Sequence, residues 1–150
     1  MAKSKATYVT RGYGQVEPNH LSAPRNGQVY AQLPAAATID LLENGQFVKY
    51  DYANGVCNFS AEKSAGAWMM VFNEVKVYDD RETEADFAMV KQNYDAHVYN
   101  ALGQAMPEGT KMVPRVFYIS IGDIWTTNTV MADPGTLTKG ALLKIGGNGS

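Results

Sequence analysis

Gln46-Phe47-Val48-Lys49-Tyr50-Asp51-Tyr52, then Ala53-Asn54-Gly55, then Val56-Cys57-Asn58-Phe59: the reading of this stretch decides the fold class. Val48, Tyr50 and Tyr52 fall two apart, the period of a half-buried strand. A second strand-like run, Val56 to Phe59, begins directly after Asn54-Gly55. Asn-Gly between two such runs signals a hairpin, because both residues tolerate the positive φ of tight hairpin turns. An antiparallel hairpin is therefore predicted over residues 46–59.

Working outward, Trp68 to Tyr78 (WMMVFNEVKVY) is the most apolar run of the chain. Val71, Asn73, Val75 and Val77 share one face of an extended chain, and Met70, Phe72, Glu74, Lys76 and Tyr78 the other. The run is apolar on both faces at its start and on one at its end, which predicts a central strand that leaves the core as it proceeds. Val113 to Ile121 contains Val116-Phe117-Tyr118-Ile119, Gly122-Asp123 reads as a turn, and Ile124 to Val130 is rich in β-branched and aromatic residues. Ala141 to Ile145 is predicted as a short strand at an edge, followed by the turn-like Gly146-Gly147-Asn148-Gly149-Ser150 with no return strand after it. One segment has a different period. Phe87, Val90, Tyr94 and Val98 are three and four apart, Thr83 and Asp86 resemble a capping box, and Gly103 suits a stop, which predicts one helix near 83–102.

The first thirty or so residues show neither period. Gly12, Gly14, Pro18, Pro24 and Gly27 interrupt them, yet Tyr8, Tyr13, Val16, Leu21 and Tyr30 are threaded through. Ordering a residue costs about 1–2 kcal/mol, more than a domain of about 115 residues can offset over so long a segment from its own surface. The expectation is an extended N-terminal arm, residues 1–33, ordered on a neighbouring subunit, and a single β-rich domain, residues 34–150. The fold class that results is mainly β, a small barrel or sandwich. Tyr8, Arg11, Tyr13, Val16, Leu21, Arg25 and Tyr30 are the candidate partner-binding residues.

A net charge of −2 over 150 residues argues against nucleic acid as a partner of the whole domain. The charge is uneven: Lys3, Lys5, Arg11 and Arg25 stand against Glu17 in the arm, whereas the segment from Glu74 to Asp95 is acidic. This asymmetry reads either as a solubility device or as a basic arm that docks on an acidic surface. No apolar run approaches the roughly 18 residues of a membrane span, and no apolar segment follows the early lysines as in a signal peptide. Synthesis in the cytoplasm and no membrane partner are expected.

The residues assemble no catalytic set. Cys57, the one cysteine, lies in a predicted hairpin strand and reads as a small buried residue. His20 and His97 lack a second histidine at metal spacing. Asp79, Asp80, Glu82 and Glu84 read as solvated acids ahead of the predicted helix. Gly12-Tyr13-Gly14 lacks the third glycine of a phosphate cradle. Trp68, Trp125, Tyr50, Tyr52, Phe117 and Tyr118 could stack on sugars or bases, but core and interface packing is the preferred reading. No enzymatic activity, no metal and no cofactor are expected.

The run from Gln28 to Phe87, which includes QVYAQLPAAATIDLLENGQFVKYDYANGVCNF and WMMVFNEVKVYDDRETEADF, together with IGDIWTTNTV at 121–130, resembles auxiliary capsid proteins of tailed bacteriophages. These are decoration, cement or minor capsid proteins. The resemblance implies a virion structural protein on the capsid exterior, bound to the major capsid protein and to copies of itself in a trimer. Such a protein stabilises the capsid by bracing adjacent capsomers. A tail, connector or baseplate component and a β-rich glycan-binding module are the alternatives.

Overall fold

The computed structural model describes residues 14–59, 67–73, 88–90, 112–130, 137–147 and 149. The fold is mainly β. Its strands are β1 (Val16–His20), β2 (Leu41–Glu43), β3 (Phe47–Asp51), β4 (Val56–Asn58), β5 (Met69–Val71), β6 (Ala88–Val90), β7 (Val116–Tyr118) and β8 (Ile124–Thr127), with one helical turn, α1 (Ser22–Arg25). A four-stranded antiparallel sheet runs in the order β4-β3-β5-β7, and two further ladders pair β1 with β8 and β2 with β6. Of the two architectures expected, the described strands do not close into a barrel.

The hairpin over 46–59 is present, with Asp51 opposite Val56 and Lys49 opposite Asn58. Its loop spans four residues, and only Gly55 takes a positive φ, 67°. Asn54 acts differently from the expectation. Its side-chain N–H donates to Asp51 Oδ2 (2.7 Å), while Asp51 Oδ1 accepts from the backbone N–H groups of Ala53 and Asn54. These bonds, those from Asn54 first, hold the Asp51 carboxyl below its ordinary range.

The predicted central strand lies inside the sheet, between β3 and β7. Met69, Met70 and Val71 are all fully buried, as a start apolar on both faces requires. Strand alternation sorts the core into two layers. Val48, Cys57, Met69, Val71 and Val116 point into one, which Ala35, Ala36, Ile39, Leu42 and Met112 complete. Met70 and Phe117 point into the other, joined by Leu21 and Ala23 and flanked by Val16, Val29, Phe47, Phe72 and Trp125. The β1–β8 ladder therefore packs on this second face through Val16 and Trp125, whose ring meets Phe47 at 6.4 Å.

Residues 30–36 cover both edges of the large sheet. Tyr30 exchanges two backbone hydrogen bonds with Val116 on β7 (2.8 and 2.9 Å). Further along, Cys57 N–H on β4 donates to Pro34, and Ala36 and Ala35 donate to Cys57 and Met112.

Three expectations are corrected. Residues 16–33 belong to the folded domain instead of a free arm, because Leu21 and Ala23 fill the second core layer and β1 pairs with β8. Within the predicted helix near 83–102, the described residues, Ala88–Val90, form a strand opposite Leu41–Glu43. A ladder with β2 outweighs the three-and-four spacing there, and the other residues of that segment lie outside the described ones. Ala141 to Ile145 form no strand. The turn-like end does act structurally: Gly149 N–H donates to Gly146 (3.1 Å), and the Gly149 carbonyl accepts from Phe47 N–H (2.6 Å).

Candidate functional site

The sequence candidates separate into three groups. Tyr8, Arg11 and Tyr13 lie outside the described residues. Val16 is half-buried and Leu21, 6% exposed, is buried in the chain's own core. Arg25, in α1, and Tyr30 are exposed, Tyr30 at 38%. Of the described members of this set, Arg25 and Tyr30 are the exposed ones.

A buried polar seam locks the start of the described chain. Glu43 Oε1 accepts from Gly14 N–H (3.0 Å), and Thr129 Oγ1 donates to the Asn44 carbonyl (2.6 Å). Asn44 and Asn73 bond reciprocally, Asn73 N–H to Asn44 Oδ1 (2.6 Å) and Asn44 Nδ2 to the Asn73 carbonyl (3.0 Å). Gly45 has φ 89°, and a Cβ there would lie 2.6 Å from Thr127 Oγ1. The seam borders a cavity of about 400 Å³ lined by Gln15, Phe72, Asn73 and Arg115. Asn73 Nδ2 is buried with no hydrogen-bond partner among the described residues.

The clearest surface feature was not singled out from the sequence. The turn after β7 and the first residue of β8 present Ile119, Ile121 and Ile124, with Ile121 fully exposed at 108% and Ile124 at 60%. This turn is tied down. Asp123 N–H donates to the Ser120 carbonyl (3.0 Å), and Asp123 Oδ2 accepts from Ser120 N–H (2.8 Å). Asp123 Oδ1 accepts from both the backbone N–H (2.9 Å) and the hydroxyl (2.8 Å) of Ser22. One carboxylate thus fixes the turn and caps the N-terminus of α1 from elsewhere in the chain. These bonds, that from Ser120 first, hold its carboxyl below the ordinary range, and His20 contributes a favourable charge.

The sequence-predicted aromatics divide. Phe117 is fully buried, Trp125 packs on the second core layer, and Trp68 lies under the Lys49 ammonium at 4.7 Å. Tyr50, Tyr52 and Tyr118 instead join Tyr30 in one row. Tyr30 and Tyr118 meet edge to face at 5.8 Å, Tyr52 lies close enough to Tyr118 to act on its hydroxyl, and Tyr52 meets Tyr50 at 4.8 Å. Burial, ahead of its neighbours, raises the Tyr118 hydroxyl above its ordinary range. The Cys57 thiol is fully buried, and desolvation pushes it up to about 11, as an inert core thiol requires.

Among the described residues, no three metal-ligating side chains come together, and no helix is long and apolar enough to cross a membrane. No protein-family model, curated protein or solved structure matches the chain.

Proposed function

We propose that the chain is a non-enzymatic structural protein of a tailed-bacteriophage head. It sits on the outside of the major capsid protein shell and braces adjacent capsomers, acting in several copies. The observation that carries this reading is the Ile119–Ile124 turn. Three isoleucines displayed on a turn that Asp123 holds from three donors suit burial against another chain. Burying one such side chain contributes about 1.5–3 kcal/mol, and a turn already fixed loses little freedom on docking. Arg25 and Tyr30, with Tyr8, Arg11 and Tyr13 ahead of the described chain, are the proposed contacts to a neighbouring subunit. Val16 and Leu21 serve the fold.

Immunogold labelling of intact virions of the source phage tests the location. Rebinding of purified chain to heads stripped of it tests the contact. Labelling on the shell exterior is expected, and the Ile121→Asp/Ile124→Asp double variant should fold normally yet rebind at least about tenfold more weakly, a loss of 1.4 kcal/mol or more. Unlabelled virions, or a double variant that rebinds as well as the unmodified chain, would overturn the reading.

A further inference from the structure

Beside the isoleucine turn lies a cleft of about 430 Å³, within the size range of small-ligand sites. Tyr30 and Tyr118 stand in its wall at an interplanar angle of 81°, so two aromatic surfaces meet in a corner. Gln28, Gln32 and Ser120 supply its polar groups, and Val29 an apolar wall. Gln32 Oε1 accepts from Ala31 N–H (2.9 Å), which orients the amide and leaves its NH₂ as the donor. No charged side chain lines the cleft.

We propose that this cleft binds a neutral saccharide, with one sugar ring in the Tyr30–Tyr118 corner and the next on Tyr52. Three features favour this chemistry. Sugar rings offer an apolar C–H face to an aromatic surface and a rim of hydroxyls that both donate and accept. Amide and hydroxyl side chains answer in kind, since each can do both. The absence of charge in the lining gives no recognition to a phosphate or a carboxylate, which would call for Arg or Lys. A proline-rich peptide could also stack on tyrosines and accept from the Gln32 NH₂, so it is the competing ligand in the test. Finally, Tyr52, which is 65% exposed and pairs edge to face with Tyr50, lies near Tyr118 and offers a further aromatic surface beyond the cleft. One ring does not need that length, whereas a chain of sugars uses it. Tyr30 is shared with the proposed subunit contact and Ser120 lies in the isoleucine turn, whereas Gln32, Tyr52 and Tyr118 belong to neither, so Gln32→Ala and Tyr52→Ala test the cleft apart from the capsid role.

Saturation-transfer difference NMR on the full chain tests it. The panel holds glucose, galactose, mannose, N-acetylglucosamine, N-acetylgalactosamine and their disaccharides, with a proline-rich decapeptide alongside. At least one neutral sugar should receive saturation at about 10 mM or below. Tyr30→Ala should weaken it by about tenfold or more, the scale of one lost stacking contact. Gln32→Ala, an exposed change that spares the core, should weaken it by roughly threefold to tenfold. Tyr52→Ala should weaken the disaccharide by a similar factor and leave the monosaccharide unchanged. Saturation of no sugar, binding of the peptide alone, or sugar binding unmoved by Gln32→Ala would overturn the proposal.

Discussion

The stretch from Val16 to Tyr30 and the stretch from Ala141 to Ile145 behave in opposite ways. The first has no apolar period and is broken by Pro18, Pro24 and Gly27, yet it completes a core layer and covers a sheet edge. The second has a compact apolar run, yet Leu142 is 98% exposed and no strand forms. The difference lies in what each one meets. Val16, Leu21, Ala23 and Val29 face Met70, Phe117 and Trp125, and Ser22 finds the Asp123 carboxylate. Ala141 to Ile145 pairs with no strand among the described residues, and Leu142 and Leu143 stay exposed. Apolar character is thus a capacity for burial, and a free complementary surface decides whether it is used.

The largest test of this contrast is a pair of truncations. Leu21→Ala removes a side chain from the second core layer and should lower stability by about 2–5 kcal/mol. Leu142→Ala should leave stability within about 0.5 kcal/mol. Urea unfolding midpoints measure both, and a neutral Leu21→Ala would return residues 16–30 to the status of a loose arm.

Next come the glycines. Gly45→Ala puts a Cβ into the left-handed region and against Thr127 Oγ1, which should cost about 1–3 kcal/mol. Gly147 has open space around it and no positive φ, so Gly147→Ala should move the midpoint by less than about 0.5 kcal/mol. Equal effects at the two positions would mean that the polar seam does not hold the start of the described chain in place.

The smallest effect is expected at Asp123. Asp123→Ala removes a cap supplied from elsewhere in the chain and should cost about 1–2 kcal/mol at neutral pH. The folded carboxyl titrates below its ordinary 3.8, so its contribution is complete above that value and disappears as the pH falls through the lowered one. The gap between the unmodified chain and the variant should therefore narrow between pH 7 and pH 3. A gap that is the same at both pH values would show that the charge is not what holds the turn.

Much of the β architecture was legible, and the reasons are local. Asn54-Gly55 between two short apolar runs marks the β3–β4 hairpin, and Gly55 takes the required conformation. Met69-Met70-Val71, apolar on both faces, marks an interior strand. The isoleucine turn was visible only as Gly122-Asp123, since nothing in the run Ile119 to Ile124 tells that its side chains go uncovered. The tyrosine row was partly legible. Tyr50, Tyr52 and Tyr118 are among the aromatics that could stack, but Tyr30 reads as part of the arm, and no spacing in the chain brings residues 30, 52 and 118 together.

By itself the sequence determined the strands whose signals are local: alternation, β-branched and aromatic content, and a glycine where φ must be positive. Only the tertiary structure decided that Leu21 and Ala23 are core, that Ala88–Val90 pairs with β2, that Ala141–Ile145 stays outside the sheet, and that Asp123 caps a helix about a hundred residues away in the chain. The physical reason is common to all four. Hydrogen bonding along a ladder, burial of an apolar side chain and capping at a distance each need a partner remote in sequence, and no short window of residues contains it.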